Sequence, residues 1–148
     1  MTTPSDILDT LADLADTRLG VEWTVTTHAP DTAGKYTAWL EPEAVTYATD
    51  LRSASMTMRC TATFQVPRSP AAEAAKTLRE LMGTHDNTQP AVQPSAFWAL
   101  GGHEDHITAA GKPIGTLEIV GSRIAGADEL ADNTYPTLVV AFVATFAA

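Results

Sequence analysis

Basic residues are scarce in this chain, which has nine lysines and arginines against 18 aspartates and glutamates and a net charge of −9. The nine are spread from Arg18 to Arg123 without forming a cluster. Proteins that bind the nucleic-acid backbone do so with basic patches that neutralise phosphates, so we expect no direct binding of DNA or RNA. An acidic surface has the opposite effect and keeps a passing polyanion from adhering.

Cysteine is also nearly absent. Cys60 is the only one, so the chain can form neither an intramolecular disulfide nor a zinc site built from several cysteines. It falls on the apolar face of an alternating segment. We therefore interpret it as a small buried hydrophobic residue rather than as a nucleophile.

Long apolar segments are missing too. The longest, Leu138 to Ala144, is too short to cross a bilayer as a helix. The first 19 residues lack the basic start and continuous apolar core of a signal peptide. The sequence also contains no phosphate-cradling loop, dinucleotide fingerprint or nucleophile elbow. We expect a soluble protein made in the cytoplasm, with no membrane partner, no cofactor and no catalytic residue.

The N-terminal segment has the signature of an amphipathic helix. Thr3 can cap it, Pro4 suits the first helical position, and Asp6 can complete a capping box. Apolar residues then recur at helical spacing, at Ile7, Leu8, Leu11, Leu14 and Ala15. Gly20 offers a left-handed stop, so the sequence predicts a helix over residues 4–19.

Alternation of apolar and polar residues predicts strands along much of the remaining chain. The predicted strands are a segment from Val21 to Val25, "YTAWLE", "EAVTYAT", "SMTMRCTATFQV", "IGTLEIVGSRIA" and "YPTLVVAFVATF". In the third of the quoted segments, six apolar positions alternate strictly and indicate one buried face: Met56, Met58, Cys60, Ala62, Phe64 and Val66. The last is apolar on both faces in its middle, so we expect it to be central in the sheet or covered by helices.

A second helix is predicted after Ser69 and Pro70, and it ends before Gly83. Residues 84–113 contain three prolines and paired glycines, and we expect them to form a long irregular loop. A chain of 148 residues has room for one domain. The order of elements predicts a single α+β domain over residues 1–148. It has a largely antiparallel, twisted β-sheet with two α-helices packed on one face.

Four potential metal ligands stand side by side in "GGHEDHITAAGK": His103, Glu104, Asp105 and His106. One hypothesis is therefore a small metal-dependent enzyme. In an extended segment, however, His103 and His106 point to opposite faces, and the flanking glycines disfavour a helix that would bring them together. The sequence designates no further ligand. We therefore interpret the segment as a polar turn and keep His103 and His106 as weak metal candidates.

The first helix carries an ordered acidic face. Its members follow 3-4-3 spacing and share one arc opposite the leucines: Asp6, Asp9, Asp13 and Asp16. Like charges at these spacings are mildly destabilising, and only those near the N-terminus gain from the helix dipole. One interpretation is an ordinary solvated face. The other is an acidic ridge that repels DNA or meets a basic partner.

The order of elements carries one further indication. A leading amphipathic helix runs into strands, "SMTMRCTATFQV" leads directly into "PRSPAAEAAKTLRELM", and an apolar final strand, "YPTLVVAFVATF", follows a Tyr-Pro. In this layout, over most of its length, the chain resembles the tail-terminator (tail-completion) proteins of long-tailed bacteriophages. The resemblance is one of architecture, since that family has no catalytic motif to match.

The resemblance implies a structural virion protein, located in the tail or neck and made in the host cytoplasm. Such a protein forms a homohexameric ring that caps the tail tube and joins it to the head. Its partners would be copies of itself, the tail tube protein and head–tail connector proteins, and DNA would pass through the ring without specific binding. A head–tail connector or another neck or accessory module is the alternative, and the metal-dependent enzyme is the more distant one.

A ring needs a head-to-tail interface, in which two different surfaces of the subunit meet. We expect the contacts in residues 84–113 and in "APDTAGK", residues 29–35. Trp39, Phe97 and Trp98 are the candidate anchors, because aromatic side chains are enriched at interface hot spots. The alternative for each of the three is the domain's own core.

Overall fold

The structure is a computed structural model that describes residues 2–29, 36–47, 55–67, 71–82, 95–101, 104, 106–125 and 136–147. Three helices and six strands lie within these ranges. In chain order they are α1 (Pro4–Leu19), β1 (Thr24–Thr26), β2 (Thr37–Tyr47), β3 (Ser55–Gln65), α2 (Ala71–Met82), α3 (Ala96–Ala99), β4 (Ile107–Ala109), β5 (Lys112–Ala125) and β6 (Thr137–Ala147). Of the helices described, none is both long and apolar enough to span a bilayer.

The strands form one curled sheet in the order β1-β2-β3-β6-β5-β4. Every neighbouring pair is antiparallel except β1 and β2, which are parallel. This arrangement confirms the predicted α+β class with a largely antiparallel sheet. β6 lies between β3 and β5 at the centre, as its apolar composition on both faces predicts.

α1 begins and ends where the sequence predicts. The Thr3 hydroxyl accepts a hydrogen bond from the Asp6 backbone N–H at 3.2 Å, and the Asp6 carboxylate accepts one from the Thr3 backbone N–H at 2.9 Å. This capping box satisfies two amide groups that a helix N-terminus otherwise leaves unpaired. At the other end Gly20 has a φ of +94°, a conformation that glycine adopts without steric cost.

The core lies between the two longer helices and one face of the sheet. Alternate residues of β3 and β6 are paired across the strands and buried on this face: Met58, Cys60, Ala62, Phe64, Leu138, Val140, Phe142 and Ala144. They form one cluster with the apolar stripe of α1 and with Ala74, Leu78 and Leu81 of α2. The strict alternation in β3 therefore marks a buried face, as predicted.

Two predicted strand boundaries are wrong. β1 begins only at Thr24, and Val21 lies fully exposed in a turn, because the chain leaves α1 through Gly20 and must first reverse direction. "YTAWLE" and "EAVTYAT" belong to a single strand, β2, in which a bulge between Pro42 and Ala44 interrupts the alternation. One extra residue shifts the inward and outward positions, so the pattern on either side looks like a separate strand.

Residues 84–113 are less irregular than the sequence predicts, although residues 83–94 lie outside the described ones. Ser95 caps α3 by accepting a hydrogen bond from the Trp98 backbone N–H at 3.2 Å. β4 and β5 form a hairpin whose two turn residues, Ala110 and Gly111, both have positive φ. A four-residue helix is too short to show a helical period, and the turn glycine resembles a loop signal.

Candidate functional site

The "GGHEDH" segment is only partly described, since His103 and Asp105 lie outside the described residues. His106 is exposed in a bend just before β4, and Glu104 is exposed in irregular structure. Among the residues that the structure describes, no three histidine, cysteine, aspartate or glutamate side chains converge as a metal-binding group. The carboxylate of Glu104 instead forms an ion pair with an arginine.

That partner is Arg18, in the last turn of α1. Its guanidinium forms an ion pair with the Glu104 carboxylate and donates a second hydrogen bond to the backbone oxygen of Trp98 at 2.6 Å. It also lies 4.9 Å from the centre of the Trp98 ring. Arg18 therefore ties α1 to α3 and to the segment that follows it. Trp98, a predicted interface anchor, is half-buried in this intramolecular contact.

The Arg18–Glu104 pair should show measurable coupling. The Arg18 side chain is 20% exposed and that of Glu104 is 42% exposed, so solvent screens the attraction. We expect a double-mutant cycle of Arg18→Ala and Glu104→Ala to give a coupling energy of about 0.5–1 kcal/mol in urea unfolding. The coupling should shrink in high salt. A coupling of zero at low salt would contradict the pairing.

Trp39 belongs to the sheet face opposite the core, which we call the open face. The strand register aligns its side chains in rows across β2, β3, β6 and β5. The three central rows are Trp39, Thr63, Val139 and Arg123; Glu41, Thr61, Ala141 and Gly121; and Ala44, Arg59, Val143 and Glu118. These residues are half-buried or exposed, and Trp39 is half-buried. Trp39 is thus not part of the core cluster.

A shallow depression crosses the middle of the open face. Glu43 lies on one side and Arg123 on the other, and the rest of the lining is small: Thr61, Ser122, Val139, Ala141 and the Gly121 backbone. Opposite charges therefore flank a floor of threonine, serine, valine, alanine and glycine. A surface of this kind can contact another protein closely.

Phe97, the third predicted anchor, lies on the other side of the sheet. It is half-buried and lines an apolar pocket of about 220 Å³ together with Met82 of α2, Ile119 of β5 and Leu138 and Val140 of β6. The structure therefore does not bring the three predicted aromatic anchors together. Trp39 is on the open face, Phe97 is beside α2, and Trp98 contacts Arg18.

The four aspartates of α1 are all exposed, on the side away from the core. The hydrogen bond from the Thr3 backbone N–H lowers the pKa of Asp6, and the Thr3 side chain adds to this effect. Asp6 therefore keeps its charge to a lower pH than a free aspartate. The arrangement leaves both interpretations open, a solvated face and an acidic ridge.

Cys60 is 1% exposed on the core face of β3. Burial raises the pKa of its thiol to about 12, and the charge of Glu43 contributes in the same direction. A thiol that stays protonated is a poor nucleophile. The cysteine therefore serves as a small core residue in this fold.

Iodoacetamide at pH 8 should leave Cys60 of the folded protein unmodified and label it rapidly in urea. The pKa of the Cys60 thiol is higher in the folded protein than in the unfolded chain, where it is about 9. The contribution of Cys60 to the free energy of unfolding is therefore fully present below pH 9 and is lost as the pH rises towards 12. A Cys60→Ala variant should lack this part of the pH dependence. Fast labelling of the native protein would contradict the burial.

Both ends of the sheet carry a long strand whose outer edge is only partly paired. Within the described part of the chain, β1 pairs with β2 at residues 37–39 only, and β4 pairs with β5 only between residues 112 and 115. The remaining outer edges, residues 40–47 of β2 and residues 116–125 of β5, have no partner strand among the described residues. We call them the β2 edge and the β5 edge. Unpaired edges of this length are templates for another strand.

The sequence predictions missed both edges, although one signal was present. Pro42 lacks a backbone N–H and is therefore confined to an edge strand or a bulge, and it occupies both in β2. β5 has Pro113 near its start, but this proline lies beside β4 and not in the β5 edge itself. The position of β5 at the side of the sheet depends on β6 inserting between β3 and β5.

Comparison with known proteins leaves the function to the geometry. No protein-family model matches this chain, and no curated protein matches its sequence.

Proposed function

We propose that this chain is a structural virion protein, a tail-terminator-like ring subunit that caps the tail tube and joins it to the head. The observation that carries the proposal is the architecture of the sheet. Its helices cover one face, while the open face and the two long outer edges remain accessible among the described residues. A subunit with two different unpaired edges has the surfaces that a ring requires.

The two edges support this function because a closed ring needs a heterologous interface. One surface of each subunit must meet a different surface of its neighbour, and the contact must repeat until it closes. The β2 edge and the β5 edge lie towards opposite ends of the sheet order. They are therefore two non-identical surfaces that one rotation can bring together.

The charge of the chain suits a ring through which DNA passes. The net charge is −9, and the exposed face of α1 carries four aspartates. A negative lining repels the phosphate backbone, so DNA can slide past it without adhering. The open face adds no basic patch, since Arg59 and Arg123 share it with Glu41, Glu43 and Glu118.

The metal-dependent alternative gains little from the described residues. Glu104 is already paired with Arg18, and His106 is exposed in a bend. A metal enzyme would have to recruit both into one coordination sphere and break the ion pair between Arg18 and Glu104.

Native mass spectrometry over a range of protein concentrations, with and without a chelator, tests the proposal. We expect a closed ring, most simply a hexamer, that survives the chelator and is unchanged by His103→Ala. Negative-stain microscopy should show the ring at the ends of tail tubes assembled from the cognate tube protein. A monomer that carries one metal ion and leaves tube ends bare would overturn the proposal. A ring that binds the portal side instead would identify a connector.

A further inference from the structure

We propose that copies of this chain join by antiparallel pairing of the β2 edge of one copy with the β5 edge of the next, so that the sheet continues from subunit to subunit. The inference deepens the proposed ring function: the closure of the paired copies into a ring rests on that function. It assigns the contact to two strand segments, residues 40–46 and residues 116–122.

The two unpaired edges lie at the same level of the sheet. Through the register of β3 and β6, residue 41 of β2 is in line with residue 121 of β5, and residue 46 is in line with residue 116. β1 occupies the β2 edge above this level, at residues 37–39, and β4 occupies the β5 edge below it, between residues 112 and 115. Among the described residues, a second copy placed beside the first therefore meets an open edge at residues 40–46 and 116–122, and β1 and β4 bound this contact at its two ends.

The strand directions are also compatible. β2 is antiparallel to β3, β3 to β6, and β6 to β5, so β2 and β5 run in opposite directions. A neighbouring copy related by a modest rotation presents its β2 antiparallel to this β5. The contact would therefore repeat the pairing that already builds most of the sheet.

The bulges on the two edges compensate each other. β2 has one extra residue between Pro42 and Ala44, and β5 has one between Ile119 and Gly121. Each edge thus has the same number of residues across the shared level. Residue 41 can pair with 121, and residue 44 with 118, with no residue left over. A bulge on only one edge would have shifted the register by one position and reversed the faces.

Charge and apolar side chains on the edges fit this register. Arg123 lies just beyond the paired segment, on the open face and diagonal to the neighbour's Glu41, while Glu118 falls opposite Ala44 rather than a carboxylate. Exposed apolar side chains occur on both edges, with Tyr47 68% exposed, Val120 64% exposed and Ile124 38% exposed. Burial of such side chains between copies is favourable.

Charge reversal tests the pairing in the full-length chain. We expect Arg123→Glu and Glu41→Arg each to weaken self-association about tenfold or more in sedimentation velocity, since each places like charges together. The double variant should recover most of the affinity. Arg79→Glu, an exposed position on α2, is the control with the same charge change and should associate like the unmodified chain.

A disulfide test reports the register directly. Within one copy, positions 41 and 121 are separated by β3 and β6, roughly 14 Å, which is too far for a disulfide. The double variant Glu41→Cys, Gly121→Cys should therefore form a ladder of covalent oligomers under mild oxidation. Each single variant should give no species larger than a dimer.

The outcomes separate this inference from the proposed function. Edge pairing would be overturned if rings persist in the Arg123→Glu and Glu41→Arg variants and the double cysteine variant forms no disulfide ladder. The ring function would still stand in that case. Edge-dependent association without binding to tail tubes would support the pairing and remove the terminator function. A chain that stays monomeric at every concentration and on tail tubes would overturn both.

Discussion

Replacing Phe142 with alanine should lower the free energy of unfolding by about 3–5 kcal/mol. Phe142 is 1% exposed at the middle of β6, paired with Cys60 of β3 on one side and Ile119 of β5 on the other. Removing its ring takes away apolar contacts and leaves a cavity in the core that neighbouring strands cannot collapse to fill. Urea unfolding followed by far-UV circular dichroism measures the loss.

Val143→Ala is the matched control, because Val143 is the next residue and lies on the open face, where it is half-buried. We expect a loss of about 1 kcal/mol or less. A similar loss at both positions would mean that the two faces of β6 are equally buried. That result would contradict the division of the sheet into a core face and an open face.

Gly115→Ala should destabilise the protein by about 1–3 kcal/mol although it adds a single methyl group. A Cβ atom at this position would lie 2.8 Å from the backbone oxygen of Thr145 and 3.1 Å from the Cβ of Phe146. A backbone oxygen cannot rotate away as a side chain does, so β5 and β6 would have to move apart. Ile7 of α1 is the next nearest contact, at 3.3 Å, and it adds to the crowding.

Gly121→Ala, on the same strand, provides the comparison, since a Cβ atom there would meet nothing within 4 Å. We expect a change within about 0.5 kcal/mol. Because Gly121 is on the β5 edge, the unfolding is measured on dilute protein, where self-association does not contribute. Equal losses for the two alanine variants would show that the close approach of β5 to β6 at Gly115 is absent.

The two elements with strong local signals were predictable from the sequence. α1 has Thr3, Pro4 and Asp6 at its start and Gly20 at its end, and its caps depend on contacts within four residues. β3 has an alternation long enough to identify a buried face. Both signals come from neighbours in the chain, so they hold whatever the rest of the fold does.

Local signals failed where tertiary contacts or irregularities decide the outcome. Val21 continues an apolar alternation, yet the turn after Gly20 leaves it in solvent. The bulge at Glu43 divides one strand into two apparent ones. α3 is too short for a helical period, and its place depends on Arg18, which is 80 residues from Trp98 in the chain.

Apart from the signal of Pro42, the candidate assembly site belongs to the tertiary structure. Length, acidity and apolar period determine a small α+β domain without a basic patch, because these are sums and patterns of the residues themselves. The insertion of β6 between β3 and β5 places Arg123 in line with Trp39 and leaves β2 and β5 towards the outside of the sheet. Strand order and register arise from pairing between distant segments, and the faces and edges of the sheet exist only once that pairing is made.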